Sequence, residues 1–297
     1  MLQFDPLDLE EAAGSLETTG QYRVLRRVPR LPPMPSVMTG LCHGIYLDVE
    51  TTGLDPVRDE IIQLAMVPFA YDQEGRIRGA GEPFCQFREP SVEIPERVTA
   101  LTGIDIWDVA GKTIDPGDVQ MFAGFPDLVV AHNAAFDRRF AERFCPWFAC
   151  FEWACSLAQV PWEAEGFEGT KLPYLLMRMG MFHDAHRADE DCHAALALLS
   201  LELPKSGLTG FAHLLAASAE PTLRFWALGA PFSEKEALKA RGYRWNPGDD
   251  GRHRSWYRDV PVSDRASETA FLDQVYGGHC GATVVEINAL ARFSDRC

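Results

Sequence analysis

A strand-like run that carries two carboxylates restricts this chain more than any other feature of its sequence. Residues 44–50 read GIYLDVE, a short β-branched and aromatic stretch, and the turn-forming residues TTG follow at once. Because side chains alternate along an extended strand, Asp48 and Glu50 point the same way. Two adjacent carboxylates repel each other and lose hydration unless a cation lies between them. A divalent metal ion is the simplest such cation, although two acids that face solvent on an edge strand would need none.

Acidic residues in two later segments are candidates for the same site. Asp137 lies in AHNAAFDRRF, directly after the apolar run DLVVAHN and in the first turns of a predicted helix. Asp191 lies in HRADEDCHAALALL at the start of another predicted helix, five residues after His186. This spacing from His186 favours Asp191 over the neighbouring Asp189. Histidine titrates near neutrality, so His186 is a candidate to accept a proton from water.

The order of the predicted elements indicates an α/β fold. Strands are expected at GIYLDVE, EIIQLAMVPFAY and GEPFCQFREP, which would form a meander, and a buried central strand is expected at DLVVAHN. Helical periodicity follows in AAFDRRFAERF, LPYLLMRMGMF and HRADEDCHAALALLSLEL. The sequence therefore predicts a central mixed sheet flanked by helices.

Composition divides the chain into three segments. Residues 1–40 read as an N-terminal extension, residues 41–203 as the α/β domain, and residues 211–297 as a small α+β domain after the linker PKSGLTG. The small domain is expected to contain a short helix and then a hairpin. A basic cluster in the extension either contacts a phosphate or forms a solvated face, and it consists of Arg23, Arg26, Arg27 and Arg30.

Charge and hydropathy exclude several classes of protein. Residues 41–200 contain 12 basic and 26 acidic side chains, which argues against tight, sequence-independent binding of a long duplex and is compatible with a divalent-metal site. No apolar run reaches the roughly 18 residues that a membrane span needs, and the acidic N-terminus does not resemble a signal peptide. We therefore expect a cytoplasmic protein without membrane contact, whose eight cysteines are reduced thiols.

The segments YLDVETTGL, HNAAFD and HRADED resemble the three motifs of the DEDDh 3'-5' exonuclease family, over about residues 41–200. The resemblance implies an RNase H-like exonuclease fold, two divalent ions (Mg or Mn) and His186 as general base. The metal ligands that it implies are Asp48, Glu50, Asp137 and Asp191. By the same similarity, Thr51 and Leu54 would contact the terminal nucleotide. His132 and Asn133 either help position the phosphate or order their loop.

The resemblance implies a metal-dependent enzyme that releases nucleoside 5'-monophosphates from the 3' ends of single-stranded or frayed DNA, in repair or proofreading. An RNA-trimming exoribonuclease is the nearest alternative, because the motifs do not decide the sugar. A non-catalytic adaptor on a polymerase or repair complex is a third reading. It is disfavoured because a binding module has no reason to keep a cluster of repelling acids.

The C-terminal domain is similar to small modules appended to bacterial DNA-processing proteins. Residues 221–260 contain 8 basic and 5 acidic side chains interleaved with aromatic residues, a pattern that single-strand binding surfaces use. Trp245 and Trp256 are expected in the core, because a small domain needs its large side chains there. The candidates for the exposed, nucleic-acid-binding side are Arg241, Arg244, Arg252 and Arg254.

Overall fold

A computed structural model describes residues 6–185, 187–249, 251–278 and 281–297. The chain forms two compact units, which divide between Leu215 and Ala216. This division lies beyond the linker expected at residues 204–210, because Phe211 and Leu214 are fully buried in the core of the first unit. Among the described residues, every helix is too short or too polar to cross a bilayer.

The first unit contains both strands and helices. Its strands are β1 (Arg26–Arg27), β2 (Cys42–Thr51), β3 (Ile61–Tyr71), β4 (Ile77–Ala80), β5 (Phe84–Phe87), β6 (Leu128–Ala131), β7 (Trp153–Cys155) and β8 (Met181–Phe182). Its helices are α1 (Pro6–Thr18), α2 (Glu96–Thr102), α3 (Ile106–Val109), α4 (Pro116–Ala123), α5 (Ala134–Phe144), α6 (Leu172–Arg178) and α7 (Ala188–Ser200), and α8 (Gly210–Ala219) contains the division.

Strand β2 lies in the middle of the main sheet. It pairs antiparallel with β3 and parallel with β6, and β7 extends the parallel side. Both β4 and β5 pair antiparallel with β3, at different parts of that strand. The predicted mixed sheet flanked by helices is thus confirmed. The expected meander differs in one respect, because β4 forms the hairpin with β3 and the third expected strand, β5, returns to the other end of β3.

The burial of the central strands explains why their sequences are so apolar. Strand β3 is buried along almost its whole length, and β6 is buried at every residue. Helix α7 packs over β2 and β3 with a run of buried alanine and leucine side chains. Strands covered on both faces need near-continuous hydrophobic sequences. The polar side chains in β2 therefore depart from the apolar pattern of the other central strands and need a physical explanation.

A separate pair of strands involves the N-terminal extension. Strands β1 and β8 form a two-stranded parallel sheet, with Arg26 opposite Met181 and Arg27 opposite Phe182. The extension is thereby attached to the residues that lead into the HRADED segment.

The second unit is an α+β fold, as predicted. Its elements are β9 (Thr222–Ala227), α9 (Lys235–Ala240), β10 (Arg244–Asn246), β11 (Ser255–Pro261), α10 (Arg265–Val275) and β12 (Ala282–Ile287). The four strands form an antiparallel sheet in the order β10-β11-β9-β12. Its core lies between this sheet and the two helices and includes Phe225, Leu238 and Leu272.

Candidate active site

Three carboxylates from distant parts of the chain meet at one point. Asp48 and Glu50 extend from the same side of β2, and Asp191 lies in the first turn of α7. One carboxylate oxygen from each lies within 4.8 Å of the others, in a half-buried position. Asp189 does not belong to this group. The structure therefore brings together three of the four metal ligands that the resemblance implies.

The fourth carboxylate, Asp137, is tied to the same strand. It lies in the first turns of α5, its side chain is only 3% exposed, and its Oδ1 accepts a hydrogen bond from the Val49 N–H at 3.3 Å. Pairing between β2 and β6 ends at Tyr46 of β2, so this part of β2 is open to the start of α5. Val49 lies between Asp48 and Glu50, which places Asp137 beside both of them.

The electrostatics of this cluster are unfavourable for the protein alone. Burial, followed by the charges of Asp137, Glu50 and Asp191, raises the pKa of Asp48 well above its usual range. Burial, with the Asp191 charge, raises the pKa of Glu50 to about 7. Burial also raises the pKa of Asp137 to about 7, against the opposing effect of the hydrogen bond from Val49.

No basic side chain within the described ranges pairs with Asp48 or Glu50. The cluster therefore holds protons or a cation. Carboxylate oxygens are the ligands that hard divalent cations prefer, so the residues present fit such an ion.

The Thr-Thr-Gly segment after β2 forms a tight, internally bonded turn. The pairing register with β3 shifts between Glu50 and Thr51, which ends the regular strand at a bulge. The buried Thr51 hydroxyl donates to the Gly53 carbonyl at 2.6 Å. Thr51, expected to contact the nucleotide, thus uses its hydroxyl to shape the turn.

Asp59 organises the rest of this turn. Its carboxylate accepts from the Thr52 hydroxyl at 3.1 Å and from the Asp55 N–H at 2.8 Å. A Cβ at Gly53 would lie 2.4 Å from this carboxylate, so only glycine allows the close approach. The result is that Leu54 projects outward, with 82% of its surface exposed.

A small pocket lies beside the exposed Leu54. Its volume is about 160 Å³, and its lining residues are Leu54, Pro56, Asn133, Ala135, Phe136, Arg139 and Phe140. The rings of Phe136 and Phe140 lie 4.9 Å apart. Two of the expected substrate-binding residues, Leu54 and Asn133, therefore share one pocket. Phe136 and Arg139 were not among the candidates, because their positions in the segment AAFDRRFAERF were interpreted only as part of a helix.

His132 is held in a chain of hydrogen bonds. Its Nε2 lies 2.7 Å from the Thr170 carbonyl, which can only accept, so Nε2 carries the proton. Its Nδ1 then accepts from the Ser156 hydroxyl at 2.9 Å, and Ser156 accepts from Tyr46 at 3.0 Å. Burial lowers the pKa of His132, which favours this neutral form. Of the two roles left open for His132, the geometry supports the ordering of its loop.

The start of α7 is anchored on both sides. The Ala188 N–H donates to the Gln63 side chain of β3 at 3.4 Å. The imidazole Nε2 of His183 lies 2.6 Å from the Asp191 Oδ1, and the His183 side chain is only 4% exposed. His183 was not a candidate, although the run HDAHRADED contains it, because the resemblance assigned the histidine of this motif to His186. That histidine, His186, lies outside the described residues.

The arginines of the C-terminal candidate surface divide into two kinds. Arg241 donates to the buried Glu268 at 3.2 Å, and Arg252 donates to a backbone carbonyl near the C-terminus at 2.7 Å. Arg244 and Arg254 are exposed. The expectation of an exposed position therefore fits Arg244 and Arg254 but not Arg241, whose guanidinium donates to the buried Glu268 carboxylate.

The two tryptophans of this unit also differ. Trp256 packs on the core, as expected, whereas Trp245 is 48% exposed. Their rings lie 5.5 Å apart across the β10–β11 pair. Trp245 is exposed because β10 is a three-residue strand at the edge of the sheet.

Comparison with known proteins identifies the first unit. A model of the exonuclease family RNase_T matches residues 45–199, more than half of the chain. A DNA polymerase III PolC-type from Thermotoga petrophila is 32% identical over 137 residues, 46% of this chain and 9% of that protein. A Ribonuclease T from Marinobacter nauticus is 29% identical over 110 residues, 32% of this chain and 49% of that protein. The match thus spans less than two thirds of either relative.

Solved structures support the fold. The crystal structure of E. coli Exonuclease I in complex with a dA16 oligonucleotide superposes with a TM-score of 0.50 at 16% identity, covering 84% of this chain and 66% of that one. The RNase H-like exonuclease fold implied by the three motifs is thereby confirmed. The matched segment contains all four carboxylates, and the chain belongs to the RNase_T exonuclease family.

Proposed function

We propose that this protein is a metal-dependent 3'-5' exonuclease that removes nucleotides from single-stranded or frayed DNA ends as nucleoside 5'-monophosphates. One observation carries the proposal: the carboxylates of all three motifs converge where Asp48 and Glu50 have no basic partner among the described residues. A cluster of this kind is unfavourable unless a cation is bound. The family membership supports hydrolysis of nucleic acid as the use of that cation.

In this proposal, different residues of the chain bind the metal ions and position the substrate. When bound to Asp48, Glu50, Asp137 and Asp191, two Mg or Mn ions would supply charge neutralisation at the scissile phosphate and a more acidic water. The pocket beside Leu54 would receive the terminal base, with Phe136 as an apolar wall. Asn133, the residue before α5, lines this pocket four residues before Asp137.

His186 is proposed as the group that takes the proton from the attacking water. General base catalysis contributes about 100-fold or more, so His186→Ala should bind metal and DNA normally but hydrolyse DNA at least about 100-fold more slowly. Metal binding is measured by Mn titration and turnover by single-turnover kinetics. An equal loss of metal affinity and rate would show that this histidine is not the base.

The names of the similar proteins bear on whether the substrate is DNA or RNA. One relative is named as a DNA polymerase III PolC-type and another as Ribonuclease T, and the structural neighbour holds a dA16 oligonucleotide. These names support DNA as the leading substrate and RNA as the alternative.

A gel time course tests the proposal directly. Purified protein with Mg or Mn is incubated with matched DNA and RNA oligonucleotides, each labelled at the 5' end. A ladder that shortens from the 3' end on DNA would support the proposed function. A ladder on RNA alone would assign the protein to RNA trimming. Absence of hydrolysis on both, with metal bound, would support an adaptor on a polymerase or repair complex.

For the second unit, we propose contact with the single-stranded part of the substrate through the β10–β11 hairpin. This hairpin carries the half-exposed Trp245 and the exposed Arg244 and Arg254. A base can stack on an exposed indole while arginines contact the flanking phosphates. Arg244 lies over the ring of Tyr257 at 5.1 Å, which places a cationic and an aromatic side chain together on this hairpin.

A further inference from the structure

Three arginines of the N-terminal cluster, Arg26, Arg27 and Arg30, pair with acids, and Arg23 donates to the Arg178 carbonyl at 2.6 Å. Arg26 pairs with Glu10 at 2.9 Å, within the extension itself. Arg27 pairs with Asp184 at 2.9 Å, and Arg30 pairs with Glu190. Both of these partners lie in the segment that carries the third motif.

The extension also holds this segment through its backbone. The Arg26 N–H donates to the Gly180 carbonyl and the Val28 N–H donates to the Phe182 carbonyl, each at 2.9 Å. The Arg27 guanidinium lies over the Phe182 ring, 5.0 Å from its centre. Strand β8 has only two residues and belongs to no other sheet within the described part of the chain. A strand pair this short depends on side-chain contacts for stability.

The residue after β8 reaches the metal-binding cluster. His183 follows Phe182 directly, is buried, and contacts the Asp191 Oδ1 through its Nε2 at 2.6 Å. Asp191 is the only member of the cluster that α7 supplies among the described residues. One contact of the Asp191 carboxylate is therefore made by a histidine that directly follows the strand paired with the extension.

We propose that residues 26–30 and His183 form a positioning element of the active site, in which β1, Arg27 and Arg30 hold β8, Asp184 and Glu190 so that His183 orients Asp191 toward the metal. The inference rests on the proposed nuclease function for its kinetic consequences. Hydrogen-bonded neighbours of metal ligands commonly contribute about 10- to 100-fold to metal affinity or activity. His183 acts through Asp191 and is a positioning residue, not a catalytic one.

Substitution of His183 tests the contact between this residue and Asp191. His183→Phe keeps the bulk and removes the donor, whereas His183→Gln keeps an N–H near the position of Nε2. We expect His183→Phe to weaken Mn binding about 10-fold, measured by the electron paramagnetic resonance signal of free Mn, and His183→Gln to restore most of that loss. Equal Mn affinity in wild type and His183→Phe would overturn the proposal.

Paired substitutions test the ion pairs that Arg27 and Arg30 form with Asp184 and Glu190. Arg27→Gln and Asp184→Asn remove opposite ends of one ion pair, and each, combined with Arg30→Gln, should lower kcat about 3- to 10-fold with little change in KM. The exchange Arg27→Asp with Asp184→Arg should recover part of the rate. If these arginines instead contact substrate phosphate, Arg27→Gln would raise KM and Asp184→Asn would not, and that result would overturn the proposal.

Hydrogen exchange separates this proposal from the proposed function, because it needs no hydrolysis. Hydrogen exchange of the peptide covering residues 178–190 should accelerate in Arg27→Gln/Arg30→Gln, even if no nucleic acid is hydrolysed. Unchanged exchange there would count against the positioning element. Arg76→Gln is the matched control, because Arg76 is an exposed arginine at the end of the sheet opposite the carboxylates, and it should leave exchange, Mn affinity and kcat unchanged.

Discussion

The two units each bury acidic side chains, but they balance the charge in opposite ways. In the second unit, the Glu268 side chain is completely buried and accepts from Arg258 at 2.5 Å and from Arg241 at 3.2 Å. In the first unit, Asp48 and Glu50 lie beside further carboxylates, and no described basic side chain pairs with either of them.

This difference separates a structural acid from a functional one. A buried carboxylate that is paired with the protein's own guanidinium groups needs nothing from outside, and it holds α10 against the sheet. A cluster without such partners raises the free energy of the folded protein until a cation binds. Burial alone would not distinguish Glu268 from the cluster of Asp48 and Glu50. The sign of the neighbouring charges determines whether a buried carboxylate needs a cation.

The largest effect on activity is expected for Asp48→Asn. Loss of this carboxylate should lower the rate of hydrolysis by at least about 1,000-fold and remove most Mn affinity, because the cation no longer has its central ligand. The metal-free variant should be no less stable than wild type, since a repelling charge has been removed. Kinetics, Mn titration and thermal unfolding in EDTA measure these three quantities. Asp118→Asn, an exposed acid on α4, is the control, and a large stability loss in Asp48→Asn would break the comparison.

For Glu268→Gln we expect the opposite pattern, a loss of stability without a loss of Mn affinity. Removing this charge leaves Arg241 and Arg258 without their shared partner and should destabilise the second unit by about 2–3 kcal/mol. Mn affinity should not change. Urea unfolding followed by tryptophan fluorescence measures the loss. Glu236→Gln, an exposed acid of the same unit, should change stability by less than about 0.5 kcal/mol, and a similar effect from both substitutions would contradict the role given to Glu268.

The pH dependence of stability sharpens the comparison further. The pKa values of Glu50 and Asp137 are raised to about 7, above the usual range near 4. Their contribution to folding is therefore fully present below about pH 4 and is lost as pH rises through about 7. In EDTA, the free energy of unfolding should fall by roughly 2–5 kcal/mol between pH 5 and pH 8, and added Mn should reverse the trend. Glu50→Gln should flatten this slope, and an unchanged slope would argue against the assignment.

The smallest effect is expected at the surface of the second unit, where cationic side chains are exposed and not paired in the core. Trp245→Ala or Arg244→Gln should raise the KM for an oligonucleotide about 2- to 5-fold and leave kcat unchanged, because stacking on a half-exposed ring is weak. Phe232→Ala removes an exposed aromatic residue outside the hairpin and is the matched control. No change in KM for Trp245→Ala would indicate that this surface serves a protein partner.

Much of the first unit could be predicted from local patterns. Alternation along β2 placed Asp48 and Glu50 on one side, and the helical spacing after DLVVAHN placed Asp137 near the start of α5. The spacing from His186 selected Asp191 over Asp189. These inferences depend on periodicity and on short distances along the chain, which the sequence specifies directly.

Other features depended on contacts between distant residues. Trp245 was expected in the core and is exposed, because the sequence does not specify which strand lies at the edge of a sheet. The domain boundary was expected before Phe211 and lies after Leu214, because both side chains belong to the first core. Local composition cannot reveal which core a side chain joins.

The sequence by itself determined the family, the mixed α/β fold and the set of carboxylates, because each is encoded in motifs and periodicities of a few residues. Only the tertiary structure decided which charges are balanced. Arg27 and Asp184 are 157 residues apart, and Arg241 and Glu268 are 27 apart, yet each pair is in contact. Whether an arginine contacts a carboxylate or solvent depends on how remote segments pack. That packing distinguishes the carboxylate cluster without basic partners from the acids that stabilise the fold.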